Sequence, residues 1–522
     1  MKYIKLLALM AVLPFSVLDA QEVDWWTSFG AGSDETITKI EQDSKGNFIV
    51  LGTYDQIFDI DGNTLVIEGG QEFFLAKFSP TGNTLWVRSF TGVRADQGAD
   101  LSIDDQDVIY LAAYFDSKVR VNDEAIFAEG GIDGLVMQIT PAGFNGWIKN
   151  MGGAETSRAL GIWVDATHVY AVGDFEGTGK MEDFIINSQG GTDMWMAKIE
   201  KSEALISWVK SYGGTGDDRF TAIVKDFRDD LYVCGASSST FTFGNQTFTA
   251  SSGEDVFVAK LTDEGSPIWT KQATGDFEGN EALFMEVDEE ANIYVSGLFA
   301  NTLTMGGQSL NAGSDTDGFL LSYNANGGLR WTQHTQTSGA GRLNGLYILN
   351  NRLYVAGTAQ NGTLFDEEVV SDAQGDLAFL AGLDLDGKLQ RIGYFDGPGN
   401  EAGVDLSGRN ENIAMIGTFE QSLDFDGETA TSVGGSDVFL ARINAVSLTT
   451  DVEEVRQDFA LEVRMDQAAK RLSVVLPEAL LKANGTIQLW DQQGRMIARK
   501  KAGVQTDFNL NDEGAGVYYV QW

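Results

Sequence analysis

The stretch that decides the fold is "IWTKQATGDFEGNEALFMEVDEEANIYVSGLFANTLTMGGQSLNAGSDTDGFLLSYN", residues 268–324. It contains four short runs rich in aromatic and β-branched residues: "IWTKQAT", "ALFMEVD", "NIYVSGLF" and "GFLLSYN". Gly, Asn and Asp separate them, which is the chemistry of strands and turns. A hairpin-like "LTMGGQSL" joins the third run to the fourth.

The same phrase returns along the chain. Its last run reads "FFLAKF", "GLVMQI", "MWMAKI", "VFVAKL", "GFLLSY", "AFLAGL" and "VFLARI". These runs centre on Phe74, Leu135, Trp195, Phe257, Phe319, Phe379 and Phe439, with steps of 61, 60, 62, 62, 60 and 60 residues. A fixed period with four strands per unit predicts a β-propeller rather than a helical solenoid. We name the strands of each unit A ("ALFMEVD", innermost), B ("NIYVSGLF"), C ("GFLLSY") and D ("IWTKQ", outermost).

The first recognisable run is a D strand at 24–29, and the last is a C strand at 437–443. Two unpaired edges would result unless the ends meet. The expectation is an all-β, seven-bladed β-propeller closed by the N-terminal strand. A D-strand tryptophan recurs at Trp26, Trp86, Trp147, Trp208, Trp269 and Trp331, and the series breaks near Gln390. A tryptophan at one radial position per unit is expected to wedge between sheets.

The A–B and C–D turns share one face, and they are tight, as in "DSKGN" (43–47) and "SPTGN" (79–83). Asp43, Asp104, Asp165, Asp226 and Asp288 close the A strands there. Aspartate opening a turn caps its own backbone, so a metal-binding ring is the alternative reading. The B–C hairpins "DIDGN" (59–63) and "DFDGE" (424–428) lack the later glutamate of a helix-flanked calcium loop and read as turns.

The opposite face carries the D–A loops, whose lengths and charges differ from unit to unit. Asp34, Asp96, Glu155, Asp217, Glu281 and Glu401 are the candidate ligand-binding residues there. Variable loops on a rigid scaffold are where binding usually sits. The loops run inward from the rim, leaving room for a polar ligand or a divalent cation such as calcium near the central channel; no other cofactor is indicated. No catalytic residue stands out. The two histidines, His168 and His334, have no zinc or triad spacing, and His334 falls where Phe29 stands in the first unit.

With 76 acidic and 36 basic residues, the formal net charge is −40, which argues against nucleic acid or an anionic membrane as partner. Residues 1–20 read as a signal peptide: Lys2 and Lys5, the apolar run Leu6–Leu18, and a cleavage point after Ala20. No later stretch is long enough for a transmembrane segment. Cys234 is the one cysteine, so no intramolecular disulfide is available.

The repeat extends over 21–445. A polar linker follows at 446–460, and 461–522 shows short strands of different spacing, read as a small Ig-like β-sandwich. Residues 446–522 hold 11 acidic and 9 basic residues, so the charge imbalance belongs to the repeat.

"GSDVFLARI", "SPTGNTLW" and "GNFIVLGTY" resemble the bacterial β-propeller repeats of exported surface proteins. "IQLWDQQGRMIARK" (487–500) and "LNDEGAGVYYVQ" (510–521) resemble the type A sorting domain of the type IX secretion system, although "LEVRMDQ" stands where that family opens with Tyr-Pro-Asn-Pro. The resemblance implies delivery through the type IX secretion machinery to the medium or the outer cell surface. A non-catalytic binding or scaffolding module for an extracellular glycan, matrix component or protein is the expected function. The alternative is an extracellular enzyme using acidic residues of the loop face: a polysaccharide lyase, a glycosidase or a quinoprotein-like dehydrogenase. Quinoprotein propellers also place a glycine shortly before a docking tryptophan, but many carry an adjacent cysteine pair that this chain lacks.

Overall fold

In the computed structural model, residues 23–444 are described apart from short interruptions at 122–123, 251–252, 278–283, 337–340, 367, 371–374 and 426–427. Between 462 and 521 the strands alone are described. The signal segment 1–20, the linker 446–460 and Glu281 lie outside the described residues. The chain divides into two compact units, Phe15–Thr449 and a second composed of Met1–Pro14 with Thr450–Trp522.

Among the described residues, the regular elements of the larger unit are all strands. Thr36–Gln42 (A) pairs with Phe48–Tyr54 (B), B with Glu72–Phe78 (C), and C with Thr84–Gly92 (D), each antiparallel. The same ladder restarts at A strands Asp96–Ile103, Ser157–Val164, Asp218–Lys225, Phe284–Val287 and Arg342–Leu349. The last set begins with Glu401–Arg409, and its outer place is taken by Val23–Phe29. That N-terminal strand runs against Glu428–Asn444, with Trp26 opposite Ala441 and Phe29 opposite Val438. Strands B and C of the first set are buried at every position, as expected where both faces of a sheet are covered. This succession of radial four-stranded sheets is a β-propeller.

The tight turns follow the capping chemistry. Asp43 Oδ1 accepts hydrogen bonds from the backbone N–H groups of Lys45 and Asn47, both at 2.9 Å. Asp104, Asp165, Asp226 and Asp288 repeat the arrangement. The second oxygen goes to the sheet: Lys77 reaches Asp43 Oδ2 at 2.7 Å, and the hydroxyl of Tyr232 donates to Asp226 Oδ2 at 3.1 Å. In the "DIDGN" hairpin, Asp59 Oδ1 accepts from Gly62 N–H at 2.7 Å, and Asp61 and Gly62 both have positive φ, the signature of a two-residue turn.

The D-strand tryptophans join one set to the next. Trp86 Nε1 donates to Pro141 O, Trp147 to Lys201 O, Trp269 to Ala325 O and Trp331 to Leu385 O, over 3.0–3.2 Å. Each acceptor lies in the following set's C–D turn. Gly143 and Gly387, at φ 84° and 86°, bring that turn against the indole so closely that a Cβ would lie 3.0 Å from Trp86 and 2.5 Å from Trp331.

The N-terminal member of this series is Trp25, not Trp26. Trp25 donates to Pro80 O at 2.9 Å and lies opposite Arg442, as Trp86 lies opposite Lys77. Trp26 instead stacks on Phe425, with ring centroids 4.6 Å apart. The same shift makes Ser28, rather than Phe29, the counterpart of His334. The break in the series falls at Arg391, one place after Gln390, since Arg391 lies opposite Gly382 as Trp331 lies opposite Ser322, and it also has a physical cause. The last set has no C–D turn, because its D strand comes from the other end of the chain, so an indole at 391 would have no carbonyl to meet. Gln390 bonds within its own turn, to Asp384 Oδ2 at 3.0 Å.

The smaller unit contains two three-stranded antiparallel sheets. One orders Glu462–Asp466, Arg471–Val475 and Gln505–Asn509, and the other Met496–Lys501, Thr486–Asp491 and Tyr518–Gln521.

Candidate functional site

The D–A loop face is built on buried carboxylates. Each C run is headed by a carboxylate, Glu72, Asp133, Asp193, Asp255, Asp317, Asp376 and Asp437, all of them buried except the half-buried Asp376. Glu72 accepts the N–H groups of Glu68, Gly69 and Gly92 at 3.0, 3.3 and 2.6 Å. Asp437 accepts from Val433 N–H at 3.1 Å and fills the space over Gly30, where a Cβ would lie 2.0 Å from its carboxyl carbon. That contact leaves room for glycine alone at position 30.

A second ring of acids stands at the A-strand starts. Glu35 accepts from Ala31 N–H at 2.8 Å, Asp96 from Asp116 N–H at 3.2 Å, Asp218 from Gly214 N–H at 2.7 Å and Glu401 from Gly397 N–H at 3.0 Å. Their surroundings disfavour charge. Burial, with Glu72 close by, pushes Asp96 up to about 8. Burial pushes Glu401 to about 8 and Glu35 to about 7, the latter with Asp437 adding to the effect. These groups are wall, not rim.

The sequence-derived site residues therefore fall into two classes. Asp96 and Glu401 are buried, at 0% and 1% exposure, and hold their own loops. Asp34 and Asp217 are one position earlier and exposed. Asp34 Oδ1 accepts from Ser436 N–H at 2.9 Å, and Asp217 Oδ1 from Thr192 N–H at 3.0 Å. Each thus ties its loop to an adjacent one while keeping a face to solvent. Glu155 is exposed beside Gly177. These residues occupy separate junctions between sheets. Among the described residues, no group of three or more His, Cys, Asp or Glu is disposed to hold a metal ion.

A different constellation, missed by the sequence reading, lies on the inner strands. Six A strands carry a bulge at one level, between Ile37 and Lys39, Gly98 and Asp100, Ala159 and Gly161, Phe220 and Ala222, Leu343 and Gly345, and Gly403 and Asp405. The residue after the bulge can cap the next inner strand. Asp100 Oδ2 accepts from Ile162 N–H, and Asp405 Oδ2 from Ile40 N–H, both at 2.9 Å. Lys39 Nζ stands 3.6 Å from Asp405 Oδ2.

Two residues further along each A strand is a second level: Glu41, Ser102, Trp163, Val224, Glu286, Tyr347 and Ser407. Lys39 is held well above its ordinary range: burial opposes the charge, but Asp405, Asp100, Glu41 and Glu286 outweigh it. Glu286 comes from the fifth set and Lys39 from the first, so this field links inner strands far apart in the chain. Burial raises Glu41 to about 7, Glu286 to about 8 and Asp100 to about 6. No neighbouring repeat carries a matching charge at most of these positions, so periodicity alone offered no signal for them.

No family model matches the chain, and no curated protein matches it. Among solved structures it is similar to the quinohemoprotein alcohol dehydrogenase from Comamonas testosteroni, at 10% identity over 87% of this chain and 82% of that one, with a TM-score of 0.36. Phage phi92 endosialidase gives 10% identity over 87% and 74%, with a TM-score of 0.39. The β-propeller domain of the Trilobed protease from Pyrococcus furiosus gives 9% identity over 76% and 98%, with a TM-score of 0.38. At such identities and TM-scores, none of these likenesses carries an argument about the activity of this chain.

Proposed function

We propose that the chain is an exported, seven-bladed β-propeller closed by its N-terminal strand, acting as a non-catalytic binding or scaffolding module at the cell surface or in the medium. The observation that carries the binding role is the division of labour on the loop face. Buried acids hold the loops rigid through backbone hydrogen bonds, while Asp34, Glu155 and Asp217 stay exposed on them. A rigid frame with variable polar tips suits recognition of an extracellular glycan or protein. Pairing of Val23–Phe29 with the last C strand and docking of Trp25 on the first C–D turn support closure. The C-terminal unit would serve the type IX secretion machinery, a role that rests on the sequence resemblance. No helix of the described residues is long and apolar enough to cross a membrane.

The test is a glycan array and a surface-extract pull-down with the full-length protein and with an Asp34→Lys, Glu155→Lys, Asp217→Lys variant. Specific capture that the variant loses at unchanged melting temperature is the expected result. Equal capture by the variant would remove the loop face as the site, and saturable turnover of a polysaccharide would replace this reading by an enzymatic one.

A further inference from the structure

Four D strands run on past their own sheet to pair with a B–C hairpin of the following set. At the first of these junctions Thr91 lies opposite Arg120, and at the second Gly152 lies opposite Lys180. The first junction holds an open cleft of about 470 Å³, a volume within the range of small-molecule sites. It is lined by Arg88, Ser89 and Thr91 of the D strand, by Asn63 and Thr64 of the first set's hairpin, and by Arg120 of the second.

The cleft runs against the charge of the chain. The formal net charge is −40, yet the described residues that line it include two arginines and no acid. Asp59 and Glu68 stand beside it, and both are engaged. Asp59 Oδ2 accepts from the Thr64 hydroxyl at 3.0 Å. Glu68 is shared: Oε1 lies 2.6 Å from Arg120 Nε, and Oε2 lies 2.8 Å from Lys118 Nζ. One carboxylate thus answers two cations, and this wall keeps a net positive charge.

The second junction is a control within the same fold. There Lys180, the counterpart of Arg120, meets Glu129 at 3.4 Å, and Lys149, the counterpart of Arg88, meets Glu182. Each of these cations has a different acid. At the first junction Arg88 instead donates to Gly143 O of the next set's C–D turn, which anchors its guanidinium, while Arg120 stays exposed. Guanidinium forks match the geometry of carboxylates and related oxyanions. The hydroxyl and amide side chains between them suit a ligand rich in hydroxyls.

We infer that this cleft binds an acidic saccharide, with Arg88 and Arg120 taking its anionic group and Asn63, Thr64, Ser89 and Thr91 its hydroxyls. The site is separate from the exposed loop acids of the proposed function and does not depend on them. A uronate carboxylate and a sulfate ester share the required chemistry.

The test is calorimetric titration of the full-length protein with trigalacturonate and with galactose 6-sulfate, against methyl-esterified trigalacturonate and galactose as neutral matches. Saturable binding of an anionic sugar, about ten-fold tighter than its neutral match, is expected, and the sugar that binds identifies the source. Arg120→Gln should weaken it about ten-fold at unchanged melting temperature, because the side chain is exposed. Lys180→Gln makes the same charge change at the second junction and should leave binding unaltered, as should Asp34→Lys. No saturable binding of either anion, a methyl ester that binds as tightly as the acid, full binding by Arg120→Gln, or equal weakening by Lys180→Gln would each overturn the inference, whatever the loop face binds.

Discussion

Neutralising Asp96 should make the propeller more stable in mild alkali while leaving it unchanged in acid. Asp96 is fully buried, one oxygen accepts from Asp116 N–H, and the other has no partner beside Glu72. Its carboxyl is raised from 3.8 to about 8 by burial. A group raised on folding contributes stability that is fully present below its unfolded value and lost as pH rises through its folded one. The window here runs from about pH 4 to pH 8. Taken at face value, the shift corresponds to about 6 kcal/mol at full ionisation. Relaxation and water entry reduce this, so we expect Asp96→Asn to gain about 2–3 kcal/mol over the parent at pH 8.5. At pH 4.5, where the parent carboxyl is protonated in the folded protein, the two should agree within about 1 kcal/mol. Asparagine keeps the acceptor for Asp116 and places a neutral donor where the proton sat. The assay is thermal and urea unfolding of both proteins at the two pH values, read as the difference between differences; a melting-temperature gain of a few degrees is the expected scale. An identical pH dependence for variant and parent would refute the argument that this acid is held neutral.

Two further outcomes follow from the packing. Trp331→Ala removes an indole docked on Leu385 O and Gly387 and should cost about 3 kcal/mol, whereas Arg391→Trp, at the equivalent place of the sixth set, should yield no stabilisation, since the last set offers no C–D turn; a clear gain from the latter in thermal melts would contradict the docking account. Deleting residues 23–29 should expose the edge of Glu428–Asn444 and uncover the first C–D turn where Trp25 sits, giving a lower melting temperature and self-association in sedimentation. A monomer melting at the parental temperature would show that the ring does not close through this strand.

Much of this architecture was legible in the chain itself. The period, the order of four strands, the aspartates that open tight turns and the D-strand tryptophans are local patterns, and a repeat shows each of them several times. Turn chemistry acts over four residues, so "DSKGN" needs no distant partner to be understood. The tertiary structure decided everything that depends on residues far apart in sequence. Trp25 rather than Trp26 docks because pairing with Glu428–Asn444 sets the register, and two adjacent tryptophans cannot be told apart without it. Asp34 and Asp96 looked alike as loop acids, but burial separated them: one position along the chain turns a solvent-facing carboxylate into a wall residue. The inner-strand charges were hidden for the complementary reason. Lys39, Glu41, Glu286 and Asp405 each depart from their own repeats, and only the packing of the first inner strand against the last brings residues 365 positions apart, Ile40 and Asp405, into one hydrogen bond.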